Sequence, residues 1–286
     1  KKIILISLLA FFVLGAFIEA PVNAEDFTTL GNGLRAVVKE DHRSPIVVFS
    51  IFINSGSASE GEYSGTGISH LIEHMLFKGT KKYPVGSIED ILNKYGGSIE
   101  GYTSYDYTGY SITILKDHLD IALDILKEML TEPVFDQKEM KKEMAVIERE
   151  MDMNKDDPSR RISRMTFETA FQEHPYRLPP IGYKENFEKL TRADIAKFFK
   201  TAYVPEKMTI AVVGDVDRQK TLDKINMSFG KIPRGNNTII VRPKEPLQVT
   251  ERLLEEKADI DGAYMNISFH STDLLNDDLY AMDLLS

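Results

Sequence analysis

The segment His70-Leu-Ile-Glu-His74 restricts this chain more than any other part of its sequence. On an α-helix each residue turns by about 100°, so His70, Glu73 and His74 fall on one face. Two imidazoles one turn apart can hold one metal ion, and the neighbouring carboxylate can take a proton from water that the metal activates. The segment therefore predicts a helix with a catalytic metal site. The alternative is a pair of ordinary core or surface histidines.

Composition narrows the chemistry that can surround this motif. The chain has 286 residues, of which 42% are hydrophobic and 28% are charged, as in ordinary globular proteins. Its formal net charge of −9 argues against a nucleic-acid partner. The absence of cysteine excludes disulfides, thiol catalysis and Cys-ligated zinc, and it leaves His, Asp and Glu as the strong metal ligands.

Residues 1–24 have the pattern of a secretory signal peptide. Two lysines precede a nearly continuous apolar run over 3–18, and Val22-Asn23-Ala24 supplies small residues for cleavage after Ala24. An uncleaved membrane anchor is the alternative, and the short apolar run disfavours it. We expect an exported protein, in a bacterial periplasm or secreted, that meets the membrane only if this segment is retained.

Periodicity and turn residues predict one domain of strands and helices over residues 25–230. Strands are predicted around a Gly-Asn-Gly turn in 27–40 and at 45–54, 98–102, 107–115 and 208–213. The motif helix should end near Gly79, and Ser87 should cap the next helix, which runs to residue 95. Further helices are predicted at 117–130, 136–155, 191–203 and 217–229. After an interruption at 156–158, the helix over 136–155 is expected to resume and to run to residue 171.

The C-terminal part has a different character. Prolines 233, 243 and 246 indicate a linker over residues 231–250. Segments 263–270 and 277–285 resemble one strand and one helix, which together cannot bury a core. Residues 251–286 are therefore expected to be the start of a second, truncated domain.

The motif alone does not complete a metal site. A catalytic zinc usually has three protein ligands, so a third ligand must come from elsewhere if Glu73 is the base. Glu143 and Glu150 border the apolar stripe of the helix predicted over 136–155, two turns apart on nearly the same face. A carboxylate at such a margin needs a cation or hydrogen-bond donors. Both glutamates also fit a solvated face beside neighbouring Lys and Arg, and spacing leaves the two alternatives open.

The motif and its surroundings resemble the pitrilysin/insulinase family of zinc peptidases, which includes the mitochondrial processing peptidase. The pattern H-x-x-E-H is that of the inverzincins, and here it lies within the matching run 67–80. Other matching segments follow in order: Gly96-Gly97, Thr103-Ser104, Tyr107-Thr108, Asp156-Asp157-Pro158, His174-Pro175-Tyr176, Gly182 and Val213-Gly214-Asp215-Val216. The resemblance covers nearly the whole chain from residue 27 onward.

This resemblance implies both a fold and a ligand set. The fold would be α+β, a half-barrel roll of a mixed β-sheet with helices packed on one face. One zinc ion would be held by His70, His74 and Glu150, with Glu73 as the general base. Glu150 stands 76 residues after His74, within the family's Glu-x6-Glu pair, and Glu143 would be a supporting carboxylate.

The resemblance also implies where substrate binds. It places the substrate on an edge strand that includes Gly101, Tyr102, Thr103 and Ser104. This chain has Glu100-Gly101 where the family often has Asn-Ala. We therefore expect main-chain pairing, rather than an Asn side chain, to hold the substrate.

The implied function is that of a zinc-dependent endopeptidase acting on peptides or unfolded proteins. In the family a second homologous domain carries an Arg and a Tyr that help to hold substrate, so we expect such a domain, or a partner subunit, to close the cleft. One alternative is a non-catalytic binding or assembly subunit of the same fold, which the intact motif disfavours. The other is a half-enzyme that requires its second domain or a partner.

Overall fold

A computed structural model describes residues 27–235 and 240–284. The expected signal peptide, residues 1–24 with its cleavage site after Ala24, lies outside the described residues. No helix within the described ranges combines the length and the apolar character needed to cross a bilayer.

A six-stranded mixed sheet is the centre of the fold. Its strands are β1 (Thr28–Thr29), β2 (Arg35–Glu40), β3 (Ile46–Ile53), β4 (Ser98–Thr103), β5 (Thr108–Leu115) and β6 (Met208–Gly214). Their order across the sheet is β1-β2-β6-β3-β5-β4. The pair β2–β6 is parallel, and the other neighbouring pairs are antiparallel. Strand β4 is therefore an edge strand, with one row of backbone groups that no described strand pairs.

The described helices differ in how they begin. They are α1 (Ile68–Leu76), α2 (Ser87–Lys94), α3 (Leu119–Thr131), α4 (Gln137–Asp156), α5 (Pro158–Ala170), α6 (Lys184–Phe187), α7 (Arg192–Ala202), α8 (Arg218–Phe229) and α9 (Leu279–Asp283). Side-chain caps start four of them: Asp136 for α4, Asp157 for α5, Thr191 for α7 and Asp217 for α8. Thr191 and Asp194 form a reciprocal capping box at α7.

One face of the sheet is covered by helices. The covered side of β3 consists of the fully buried side chains Val47, Phe49, Ile51 and Ile53. On the opposite side of the same strand, Ile46 and Val48 are exposed. Helix α1 joins the buried layer through Ile68, Leu71, Ile72, Met75 and Leu76. The expected α+β fold, a mixed sheet with helices on one face, is confirmed.

Two local expectations were wrong. Ser87 is the first residue of α2, and Gly86 is its N-cap. The Ser87 hydroxyl instead donates to the carbonyl of Pro84 at 2.6 Å. The strand expected at 263–270 does not form, because no described strand lies beside it to pair its backbone, and Phe269 is 85% exposed. The proposed boundaries of the linker, 231–250, stay a prediction.

A hydrogen bond between two buried tyrosines joins the sheet to the end of α7. The hydroxyls of Tyr110, in β5, and Tyr203, just after α7, lie 2.8 Å apart. Both side chains are buried. Burial raises the pKa of both hydroxyls, so both remain protonated well above neutral pH.

We expect Tyr110→Phe to lower the free energy of unfolding by about 1–2 kcal/mol, because it leaves the buried Tyr203 hydroxyl without this partner. The double variant Tyr110→Phe/Tyr203→Phe should lose clearly less than the sum of the two single variants, since it strands no hydroxyl. Urea denaturation of the three variants and the wild type measures this coupling. Strictly additive losses would contradict the expected hydrogen bond.

Candidate metal centre

Helix α1 carries the motif on the face that is turned away from its apolar stripe. It lies in contact with both α4 and β4. Glu73 is buried, and His70 and His74 are partly buried. The apolar side chains on the other side of α1 fix its rotation, so the motif side chains face the neighbouring helix and strand.

Three side chains predicted as ligands are brought together. The Nε2 atom of His70 lies 3.8 Å from the Oε2 atom of Glu150, and His74 Nε2 lies 3.9 Å from the same oxygen. All three ligand atoms lie within 4.8 Å of one another. Ligand atoms around a tetrahedral zinc stand about 3.3 Å apart, so a small closing movement would allow all three to bind one ion. Across residues 27–235 and 240–284, no other such cluster of His, Asp and Glu occurs.

The protonation state of His70 suits metal binding. Burial lowers the pKa of its imidazole to about 3, and the nearby charge of His74 acts in the same direction. The ring is therefore neutral at pH 7, which is the form that binds metals. Its Nδ1 atom is buried and has no hydrogen-bonding partner among the described residues.

The imidazole of His74, by contrast, contacts a carboxylate on the side opposite the candidate metal position. Its Nδ1 atom lies 3.2 Å from Oε2 of Glu143, and Glu143 Oε1 lies 3.0 Å from the ammonium of Lys78. Glu143 is therefore buried against the motif and does not lie on a solvated face. A carboxylate on Nδ1 directs Nε2 toward the metal position. Lys78 was not among the predicted site residues, although its position four residues after His74 was a possible signal.

Glu73, the predicted base, is held by the edge strand. The Thr103 hydroxyl donates to Glu73 Oε2 at 2.6 Å. Burial raises the pKa of the Glu73 carboxyl, while the Thr103 hydrogen bond and the charge of His74 act in the opposite direction. A carboxyl in this position can serve as a general base and then as a general acid in one reaction.

The predicted substrate residues lie along β4 and the turn that follows it. Gly101, Tyr102 and Thr103 belong to β4, whose outer edge has no partner strand in the described part of the chain. Ser104 is tied into the turn, because its N–H donates to the Tyr107 carbonyl and its own carbonyl accepts from Ser57. The structure therefore leaves the free backbone edge to the first three residues.

The space around Gly101 leaves little room for any side chain. A Cβ atom there would lie 3.0 Å from the ring of Phe77 and 3.2 Å from Cγ of Glu73. The missing side chain allows β4 to approach α1 closely, next to the predicted base. An alanine at this position would require the Phe77 ring to move.

A cleft of about 780 Å³ extends from the cluster between α4, α5 and the loop before α6. His70, Thr103 and Glu150 line the end nearest the candidate metal position. Basic residues also line the cleft, among them Lys155, Arg160, Arg161, Arg164 and Lys184, together with the acidic Asp152 and Glu185. The cleft is large enough to receive several residues of an extended peptide.

Protein-family comparison gives two adjacent matches. Residues 35–182 match the family described as insulinase (peptidase family M16), and this match covers more than half of the chain. Residues 189–286 match the family described as the peptidase M16 inactive domain. The first match contains His70, Glu73, His74, Glu143 and Glu150.

Curated relatives are similar over much of this chain. It is 30% identical over 211 residues to a probable mitochondrial-processing peptidase subunit beta of Arabidopsis thaliana, which covers 74% of this chain. It is 28% identical over 293 residues to the zinc protease PqqE of Helicobacter pylori, a match that covers 100% of this chain. The chain spans 40% and 66% of the lengths of these two relatives, respectively.

A solved structure shows the same fold. The first half of the periplasmic protease PqqL from Escherichia coli matches with a TM-score of 0.69 and 28% sequence identity. The match covers 76% of this chain and 48% of that one.

We expect Glu150→Gln to lower the zinc content of the purified protein from about one ion per chain to well below one, because a neutral amide replaces the anionic ligand. Metal analysis by mass spectrometry after dialysis measures this. The matched control is Glu139→Gln in the first turn of the same helix, where Glu139 pairs with Lys142. Equal zinc content in both variants would remove Glu150 from the ligand set.

Proposed function

We propose that this chain, which belongs to the insulinase family of peptidases (peptidase family M16), is a zinc-dependent endopeptidase. The observation that carries this proposal is the approach of His70, His74 and Glu150 to one another beside the buried carboxyl of Glu73. The name of the Helicobacter relative, a zinc protease, supports the same class of activity.

The donor set fits zinc. Two imidazole nitrogens and one carboxylate oxygen are a usual set of protein ligands for a catalytic zinc ion, and they leave one position open. The neutral His70 ring and the Glu143 carboxylate behind His74 match what such ligands require. When bound, zinc would lower the pKa of water and polarise the scissile carbonyl.

The chain's own residues supply the proton transfers. Glu73 takes a proton from the attacking water and passes it to the departing amide nitrogen. The Thr103 hydroxyl donates to Oε2 of Glu73, so we assign this exchange to Oε1. Lys78 and Glu143 keep the His74 ring in one orientation while the reaction proceeds.

The edge of β4 binds the substrate in this proposal. An extended peptide can add to the unpaired edge at Gly101–Thr103 by backbone hydrogen bonds, which brings its carbonyls close to Glu73. Strand addition requires an extended backbone, so peptides and unfolded proteins are the proposed substrates. The cleft beyond His70 and Glu150 would receive the remainder of the peptide.

A second domain or a partner subunit would close the cleft. This is supported by the similarity to the first half of PqqL and by the match of residues 189–286 to the inactive-domain family.

The signal-peptide pattern and the periplasmic relative support export to the periplasm. Because the chain spans 40–66% of its relatives' lengths, a half-enzyme that needs the remaining domain is the second candidate.

We expect Glu73→Gln to keep one zinc ion but to reduce peptide hydrolysis by about 10²–10⁴-fold, because the amide cannot accept the proton. A fluorogenic unstructured peptide and metal analysis of the same samples measure both properties. Glu62→Gln is the control, since Glu62 pairs with Lys197 on the surface. Undiminished turnover in Glu73→Gln would remove Glu73 as the base. An inactive wild type that binds zinc would favour the half-enzyme.

A further inference from the structure

The N-cap of α1 is Gly67, with a φ of 70° and no side chain. The hydroxyl of Thr66 accepts from the N–H of Ile68 at 3.3 Å, and the following amide, that of Ser69, has a different acceptor. A Cβ atom at Gly67 would lie 2.2 Å from the carbonyl oxygen of Ile181. The residues that usually cap helices, Ser, Thr, Asp and Asn, are therefore sterically excluded here.

The buried carboxyl of Glu60 binds the Ser69 amide. Oε1 of Glu60 accepts from the backbone N–H of Ser69, the second residue of α1, at 3.0 Å. The backbone amides of Gly65 and Gly67 also face this carboxyl. Glu60 is only 2% exposed, so no solvent competes for these groups.

His70 depends on the backbone of this turn more than His74 does. The Nδ1 atom of His74 is held by Glu143, whereas Nδ1 of His70 has no partner among the described residues. The position of the His70 ring is therefore set by its backbone and by packing. The amide that Glu60 binds belongs to Ser69, immediately before His70.

We propose that Glu60 is a positioning residue for the metal site: it caps the first turn of α1 and so places His70 opposite Glu150. The inference rests on the proposed zinc site. It adds a residue outside the motif, the ligand set and the carboxylate pair of α4.

The burial of Glu60 supports a local geometric role. Its Oε2 atom has no hydrogen-bonding partner in the described structure. Burial raises the pKa of the carboxyl to about 8, with the surrounding amides acting in the opposite direction. A buried acid with an unpaired oxygen is costly for stability, so its benefit is expected in the placement of the helix. Glutamine resembles its protonated form and keeps an acceptor oxygen.

The test compares zinc dissociation constants, obtained by competition with a chromogenic chelator, for the wild type, Glu60→Ala and Glu60→Gln. Glu60→Ala should weaken zinc binding by about tenfold, in the range found when residues behind metal ligands are removed. Glu60→Gln should remain within about threefold of the wild type, because it restores the acceptor. The control is Asp217→Ala, which removes the cap of α8 at Lys220 N and should leave zinc binding unchanged.

Unchanged zinc binding in Glu60→Ala would overturn the proposal, and so would equal weakening in Asp217→Ala, which would indicate a loss of overall stability only. If Glu60→Ala does not fold, the zinc dissociation constant of Glu60→Asp tests the proposal in its place. This variant shortens the reach by one methylene, and it should weaken zinc binding at least about threefold. An unchanged constant in that variant would also overturn the proposal.

A second readout separates this inference from the proposed function. In metal-free protein, backbone amides at 68–71 should exchange hydrogen faster in Glu60→Ala than in the wild type and in Asp217→Ala. Equal exchange rates would overturn the capping role. A wild type that binds no zinc would refute the zinc site, while this exchange comparison would still decide whether Glu60 holds the first turn.

Discussion

The packing of α1 against the sheet is the constraint on which the rest of the structure depends. Five apolar side chains of this helix are fully buried, from Ile68 to Leu76. Because successive residues turn by about 100°, this burial leaves one rotation of the helix about its axis. That rotation directs His70 and His74 toward Glu150 and directs Glu73 toward Thr103. A different rotation would expose the stripe and bury the imidazoles among apolar side chains.

Three buried carboxyls around α1 each contact residues from other parts of the chain. Glu73 accepts from Thr103, and Glu143 lies between Lys78 and His74. Glu60 accepts from the backbone at the start of α1. Such pairing is required because an unpaired buried carboxyl is costly. The same contacts that make burial tolerable also hold the motif in one geometry, so stability and site geometry share their cause.

The edge position of β4 connects the fold to the proposed activity. A strand in the middle of the sheet would have both rows of backbone groups paired. In the described part of the chain, β4 keeps one row without a partner strand, next to Glu73. Gly101 permits this approach, because a side chain there would meet Phe77. Exposed strand edges promote aggregation unless they are short or covered. Here the short edge lies beside the cleft where a second domain is proposed.

Sequence by itself determined the features that depend on neighbouring residues. Local patterns predicted the strand at 45–54, the starts of the helices near residues 136, 191 and 217, and the placement of the motif on one helical face. The half-barrel fold and the choice of Glu150 came from resemblance to a family, since spacing left two alternatives open. Only the tertiary structure decided which distant groups meet: Lys78 with Glu143, Thr103 with Glu73, and Glu60 with Ser69. These contacts depend on how the helices and strands pack, and that arrangement is not encoded in any local pattern.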